Sequence, residues 1–408
     1  MVKITLFCLI FTVVSLIVLI VLLIILRPEK EEKENKDEND ESEKRKKAGY
    51  FEPWNDLYGI KMTNLTYDNN SFIENSFKKG GVNYRDEIGD INNGKDYSKN
   101  ERNVYNLYIP YSALNNKEKI NGVFLFIHGG SWVSGSKEEI EFLCSRYSKM
   151  GYISATMGYT VMSGDYPEYN IYRILDEITA CIQHFKEQLN ILGFNNLEMA
   201  LGGISAGAHI ALLYGYSIKT TIIHIKFLIN IVGPISLEPE FWYKPAVNNK
   251  TLESIEPLDI DNAIKAGEII PIFDDPTMIS LMNGFLGKRY TDEETKEMIE
   301  NDKIKKDSEK YQEMFNAVKY SFPYIFIDEN TPPTLCEYGG NDSLVGVSMY
   351  KYLKELSQEH GNKLDLVYMR YAGHDLISFD TENGIKAMRD IHYQVLNYAK
   401  NYFNKNNN

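Results

Sequence analysis

From about residue 100 onward, short apolar runs alternate with longer stretches whose apolar positions recur at helical spacing. The runs VYNLYIP (104–110), GVFLFIH (122–128), YISATMGY (152–159), LEMALGG (197–203), FLINIVG (227–233), PTLCEYG (333–339) and LDLVYMRY (364–371) predict strands. Several are apolar at every position, as expected of strands covered on both faces. Helices are predicted near 137–149, 169–191, 205–217, 343–359 and 380–403; in the last, Ile385, Met388, His392, Val395, Ala399 and Tyr402 share one stripe. This alternation predicts an α/β domain with a mostly parallel central sheet flanked by helices. The rhythm breaks between the fifth and sixth runs. Residues 237–330 form an insertion far longer than an ordinary connection, with Phe241, Trp242 and Tyr243 near its start and Tyr311, Met314, Phe315 and Val318 at helical spacing further on. A helical cap or lid over one end of the sheet is expected, the alternative being surface decoration.

The first 49 residues follow a different pattern. Residues 4–26 carry no charge, and at about 1.5 Å per residue they would span roughly 35 Å, enough for one tilted transmembrane helix. A cleaved signal peptide would end its shorter apolar region at small residues, whereas here Arg27, Pro28 and a charged run follow. Residues 27–49 mix both signs with almost no apolar side chains, which predicts a disordered, charged tether leading to a domain over 50–408. Arg27, Lys30, Lys33, Lys36 and Lys44 to Lys47 outnumber Lys3, so the positive-inside rule assigns the domain to the cytosolic face of a membrane.

Composition narrows the partners. A formal charge of −13 argues against nucleic acid, whose binders present a basic face. Cys8, Cys144, Cys181 and Cys336 lie far apart, with neither a CxxC pair nor a disulfide framework, and no metal-ligand cluster or phosphate-cradling loop appears. No metal or other cofactor is expected.

The candidate chemistry begins at GGISAGAHIALLYGY, where Gly203, Ser205 and Gly207 form G-x-S-x-G between a predicted strand and a predicted helix. In that context the glycines clear space for a sharp turn that lifts a serine nucleophile above the sheet. A bland reading is available too, with Ser205 as a helix N-cap. A serine hydroxyl needs a base, and the base an acid to orient it, so the turn calls for an acid and then a histidine in loops after later strands. Asp342 in EYGGNDSLV and His374 in YAGHDL meet that order. Asp375 adjoins the base and Glu337 lies inside its strand, which leaves Asp342 as the better acid. His128 and His209 lie in glycine motifs, His184 and His392 within helices, His224 before a strand and His360 at a helix end. Attack on a carbonyl builds charge on its oxygen, and preorganised backbone N–H groups stabilise it. FIHGGSW supplies those of Gly129, Gly130 and Ser131, and the residue after the nucleophile supplies that of Ala206. His128 is expected to anchor this loop and Trp132 to pack beneath it.

Together these motifs resemble the α/β-hydrolase superfamily, and within it the esterase/lipase branch with an H-G-G-x-W oxyanion loop, which includes hormone-sensitive-lipase-like carboxylesterases, kynurenine formamidase-like enzymes and isoprenylcysteine methylesterase-like proteins. The resemblance covers roughly residues 100–400. It implies an eight-stranded sheet with a lid and an acyl-enzyme mechanism in which Ser205 is nucleophile, His374 base and Asp342 orienter. Many relatives have a third glycine where this chain has Ser131. The expected function is a membrane-anchored serine hydrolase acting on a small-molecule carboxylic ester, including lipophilic esters delivered from the lipid bilayer. The alternatives are an amide or formamide substrate for the same machinery, and a catalytically inactive hydrolase-fold interaction protein.

Overall fold

Eight strands form the central sheet of the structure, a computed structural model that describes residues 52–67, 78–79, 82–83, 102–120, 122–162, 169–218, 221–245, 269–287, 290–340, 342–346, 348–369, 372–374 and 381–403. The strands are β1 (Gly59–Thr66), β2 (Val104–Pro110), β3 (Gly122–Ile127), β4 (Ile153–Met157), β5 (Glu198–Ile204), β6 (Ile225–Ile231), β7 (Thr334–Gly339) and β8 (Leu364–Met369). Their spatial order is β1-β2-β4-β3-β5-β6-β7-β8. Strand β2 runs antiparallel to both its neighbours and every later pairing is parallel. This is the α/β-hydrolase fold. The predicted anchor at 4–26 and tether at 27–49 lie outside the described residues, as does Asp375. Among the described residues no helix is long and apolar enough to cross a membrane.

Seven of the eight strands coincide with the predicted apolar runs. The eighth, β1, was not predicted, because GIKMTNLT is an edge strand with mostly half-buried or exposed positions and a register break between Met62 and Leu65. Central strands β3 and β4 are buried at every position. Period-two alternation assigns successive side chains to opposite layers. On β6, Phe227 packs on Phe403 of the C-terminal helix with ring centroids 5.2 Å apart, while next to it Leu228 closes on Gly215 from the other side.

The helices that matter for the site are α1 (Glu141–Lys149), α2 (Ile171–Ile191), α3 (Ala206–Ser217), α4 (Asp275–Leu286), α5 (Glu309–Val318), α6 (Ser348–Glu359) and α7 (Thr381–Phe403). Asn170 caps α2 by accepting from the N–H groups of Tyr172 and Arg173, which satisfies two donors that lack intrahelical partners. Helix α3 is buried along its whole length. One predicted boundary needs correction: the helix expected from residue 343 starts at Ser348, because Asp342 first folds the chain into a polar turn.

Between β6 and β7 the described part of the insertion contains a short antiparallel strand pair (Tyr243–Pro245 with Ile269–Pro271), α4, a helix at Asp292–Met298, a hairpin (Ile299–Glu300 with Lys303–Ile304) and α5. Asp274 caps α4, Ser308 caps α5, and Thr291 with Glu294 forms a reciprocal capping box on the helix between them. Of the predicted face, Tyr311, Met314 and Val318 are buried in α5, while Phe315 at its margin is half-buried. Met278, Met282, Phe285, Met314 and Phe322 belong to the same apolar core as the sheet. The insertion is therefore packed into the domain, against α3 and the loop after β3.

Candidate active site

Strand β5 ends and α3 begins at a turn with Ser205 at its apex, φ 54° and ψ −121°. An L-residue occupies that region only under constraint. Two glycines make the turn possible by close approach. A Cβ on Gly203 would lie 2.4 Å from the Gly207 carbonyl carbon, and one on Gly207 would lie 2.2 Å from the Ile127 carbonyl oxygen. The turn is held from below by the Ser205 N–H, which donates to Ile231 O at 2.8 Å. The alternative role as N-cap does not operate, since the Ser205 side chain makes no capping bond. Its hydroxyl points elsewhere.

It meets His374 Nε2 at 2.8 Å, and His374 Nδ1 meets Asp342 Oδ2 at 2.9 Å. A carboxylate only accepts, so the proton sits on Nδ1 and Nε2 is left to accept from the serine. Asp342 is itself fixed: its other oxygen accepts from the N–H groups of Leu344 (2.8 Å) and Val345 (2.7 Å). Its side chain is fully buried, whereas that of His374 keeps 21% of its surface exposed toward the site. The sequence order Ser205, Asp342, His374 thus becomes one continuous hydrogen-bonded chain. Glu337, the rival acid in β7, is buried with both carboxyl oxygens unpartnered, and burial raises its pKa well above the usual carboxylate range.

The loop after β3 lies against this turn. A Cβ on Gly129 would stand 3.3 Å from Ser205 Cβ. His128 is stacked on Tyr159 at 4.3 Å, and its Nδ1–H donates to Gly129 O at 2.7 Å. Burial pushes the His128 imidazole down to about 4, so it stays neutral. The Gly130 carbonyl accepts from the N–H groups of Val133 and Ser134 and from Ser134 Oγ. In a trans peptide the N–H points opposite the preceding carbonyl. With the carbonyls of Gly129 and Gly130 bonded within the loop, the N–H groups of Gly130 and Ser131 are turned to its outer side. Ala206, as the first residue of α3, has no intrahelical carbonyl for its N–H. The Ala206 N–H adjoins Ser205, and the loop carrying the N–H groups of Gly129, Gly130 and Ser131 comes nearest to Ser205 at Gly129.

Backbone strain is concentrated here. Among the described residues, the non-glycine positions with positive φ are Asn64, Asn196, Asn301 and Asp302, which tolerate it, and Ser131, Trp132, Ser205 and Val232, which do not tolerate it readily. The last four all belong to this site, Val232 following the Ile231 that supports Ser205. At about 1 to 3 kcal/mol each, such strain persists only where the surroundings enforce it. Ser131 is exposed at the loop surface, and Trp132 is buried.

Sequence reasoning overlooked the support of Trp132. Its indole Nε1–H donates to His209 Nδ1 at 3.2 Å, and Phe285 of α4 packs edge-on against both rings. The only sequence sign was the position of His209, one turn after Ser205. No group of three or more potential metal ligands occurs among the described residues.

Comparison with known proteins agrees with this fold. The family model described as BD-FAE matches residues 106–356, more than half of the chain. A truncated form of a carbohydrate esterase from gut microbiota shares the fold with a TM-score of 0.50 at 14% identity, over 84% of this chain and 99% of that one. Esterase B from Lactobacillus rhamnosis (HN001) gives a TM-score of 0.51 at 13% identity, over 89% of this chain and 92% of its own. At such identities the likeness to the two structures is one of fold.

Proposed function

The chain belongs to the BD-FAE family, and from that premise we propose that it is a carboxylic ester hydrolase of the esterase branch of the α/β-hydrolases, working through a covalent acyl-enzyme on Ser205. The observation that carries the reading is the unbroken chain from Ser205 Oγ through His374 to Asp342. Ser205 Oγ attacks the ester carbonyl carbon as its proton passes to His374 Nε2, and Asp342 stabilises the imidazolium that results. The carbonyl oxygen, now carrying the negative charge, accepts from the N–H groups of Gly130, Ser131 and Ala206, with Gly129 giving the loop its close approach; each such donor is worth about 3 kcal/mol in the transition state. His374 returns the proton to the departing alkoxide, which leaves as the alcohol. Water then repeats the sequence on the acyl-enzyme and frees the acid.

The substrate is a small-molecule ester, and the insertion beside Trp132 sets the depth of its pocket. The reading is tested by steady-state hydrolysis of p-nitrophenyl esters of graded acyl length, with matched anilides alongside. Turnover of the esters that is abolished by Ser205→Ala supports it. Turnover of the anilides alone would transfer the same machinery to amides, and turnover unaffected by Ser205→Ala would end it.

The apolar, uncharged run at 4–26 supports membrane attachment of the domain through one helix, with the basic residues of 27–47 holding the domain on the cytosolic side. Carbonate extraction of membranes from cells expressing the full chain checks this. Retention in the pellet is expected, with release to the supernatant when residues 1–49 are removed; recovery of the full chain in the supernatant would refute it.

A further inference from the structure

His209 stands one turn beyond the nucleophile on α3, its N–H bonded to Ser205 O at 3.0 Å, and its ring is buried between two segments distant in sequence. On one side is Trp132 of the loop after β3. On the other is the carbonyl of Ser321, just beyond α5 in the insertion, 2.9 Å from Nε2. An indole N–H can only donate, so Nδ1 must accept from Trp132 and the proton must sit on Nε2, from where it is donated to Ser321 O. Both ring nitrogens are thereby used, in one tautomer. Burial holds this imidazole down at about 3, so protonation does not disturb the arrangement near neutral pH. Phe285 of α4 lies 4.8 Å from the Trp132 ring and 5.5 Å from the His209 ring, keeping the bond dry.

Trp132 and the adjacent Ser131 both have positive φ, 64° and 51°. Such a pair would relax toward commoner conformations unless held at several points. The backbone is held where Trp132 O accepts from Met162 N at 2.8 Å. The side chain is held by His209, through the hydrogen bond from its indole N–H, and by the Phe285 ring packed on it.

We propose that His209 is a positioning residue for the oxyanion hole: a neutral strut, referenced to the nucleophile helix, that locks Trp132 to the insertion and so keeps the N–H groups of Gly130 and Ser131 aimed at the reacting carbonyl. It rests on the ester-hydrolase reading. It adds that the insertion acts on transition-state stabilisation through Ser321 and Phe285, beyond shaping a pocket.

The test uses the full chain and a p-nitrophenyl ester, with melting temperature measured in parallel. Trp132→Phe keeps the ring and removes the donor, so kcat should fall about 10-fold with KM within about twofold, a fraction of the loss for deleting an oxyanion donor outright. His209→Phe should lose a similar factor. His209→Asn, whose amide oxygen stands near the position of Nδ1, should recover part of that loss. The double variant Trp132→Phe/His209→Phe should be no slower than the slower single one, since both act through one bond. Should His209→Phe fail to fold, Trp132→Phe and His209→Asn still decide the matter. A Trp132→Phe enzyme with wild-type kcat and only a lowered melting temperature would overturn the strut, as would losses that multiply in the double variant. An inert wild type would instead sink the hydrolase reading and the strut together, so the two failures are distinguishable.

Discussion

Ser205 sits in a backbone region that serine avoids, and what holds it there is visible atom by atom. Gly203 and Gly207 leave no room for a methyl group, and Ile231 anchors its N–H. Asp342 shows the same economy, one oxygen bound to the turn at Leu344 and Val345 and the other to His374. This division predicts the outcome of Asp342→Asn. The amide oxygen can go on accepting from the turn while the NH2 group faces Nδ1, which forces the wrong histidine tautomer. We expect kcat to fall about 10³- to 10⁴-fold with the urea midpoint little changed; a kcat within tenfold of wild type would remove Asp342 from the mechanism. The hydrogen-bonded chain of Ser205, His374 and Asp342 was legible in the sequence, because G-x-S-x-G, an acid and a histidine each follow a strand in order. The tie from Trp132 to His209 was not, since nothing in a linear pattern says which buried histidine faces which indole across 77 residues.

At the scale of elements, legibility followed burial. Strands such as GVFLFI and ISATM, buried at every position, announce themselves by uninterrupted apolar character. Strand β1 does not, because an edge strand with exposed positions has a weak pattern and takes its place only by pairing with β2. Helix α6 starts later than its spacing suggests because side-chain bonds from Asp342 compete with the helix for the N–H groups of Leu344 and Val345. For the insertion, the sequence showed a helical face at Tyr311, Met314, Phe315 and Val318 and suggested a cap over one end of the sheet, but not which residues it would meet. Its joint with the site is Phe285, buried against Trp132 and His209. Phe285→Ala should destabilise the domain by about 3 to 5 kcal/mol in urea unfolding. A loss below about 1 kcal/mol would show that α4 is not anchored there.

Across the whole molecule, buried ionisable groups outside the triad set how stability depends on pH. Burial holds His128 at about 4 and His209 and His392 at about 3, below the ordinary imidazole value of 6.5. As pH falls below 6.5 the unfolded chain takes up three protons that the folded chain refuses. Their contribution is complete above that value and is lost on acidification, by about 1.4 kcal/mol per pH unit for each ring. Glu337 acts in the opposite sense. Burial raises its pKa, so its contribution is complete below the ordinary carboxyl value of 4.5 and is lost as pH rises. Three rings outweigh one carboxyl between 4.5 and 6.5; above that the loss at Glu337 is what remains, joined toward the ordinary thiol range by buried Cys144, Cys181 and Cys336, which burial also pushes up. Urea midpoints should therefore peak near pH 6.5, falling steeply on the acid side and gently on the alkaline side. Glu337→Gln should flatten the alkaline side; a midpoint that rises steadily from pH 6.5 to 8 would contradict this accounting.

The catalytic expectations depend on Ser205 Oγ being the atom that reacts. The direct measurement is intact-protein mass spectrometry after exposure to a fluorophosphonate, followed by peptide mapping. One adduct is expected, on the peptide containing Ser205, absent from Ser205→Ala and formed far more slowly in a His374→Ala variant. No adduct on the folded wild-type chain, or one that persists in Ser205→Ala, would contradict the account.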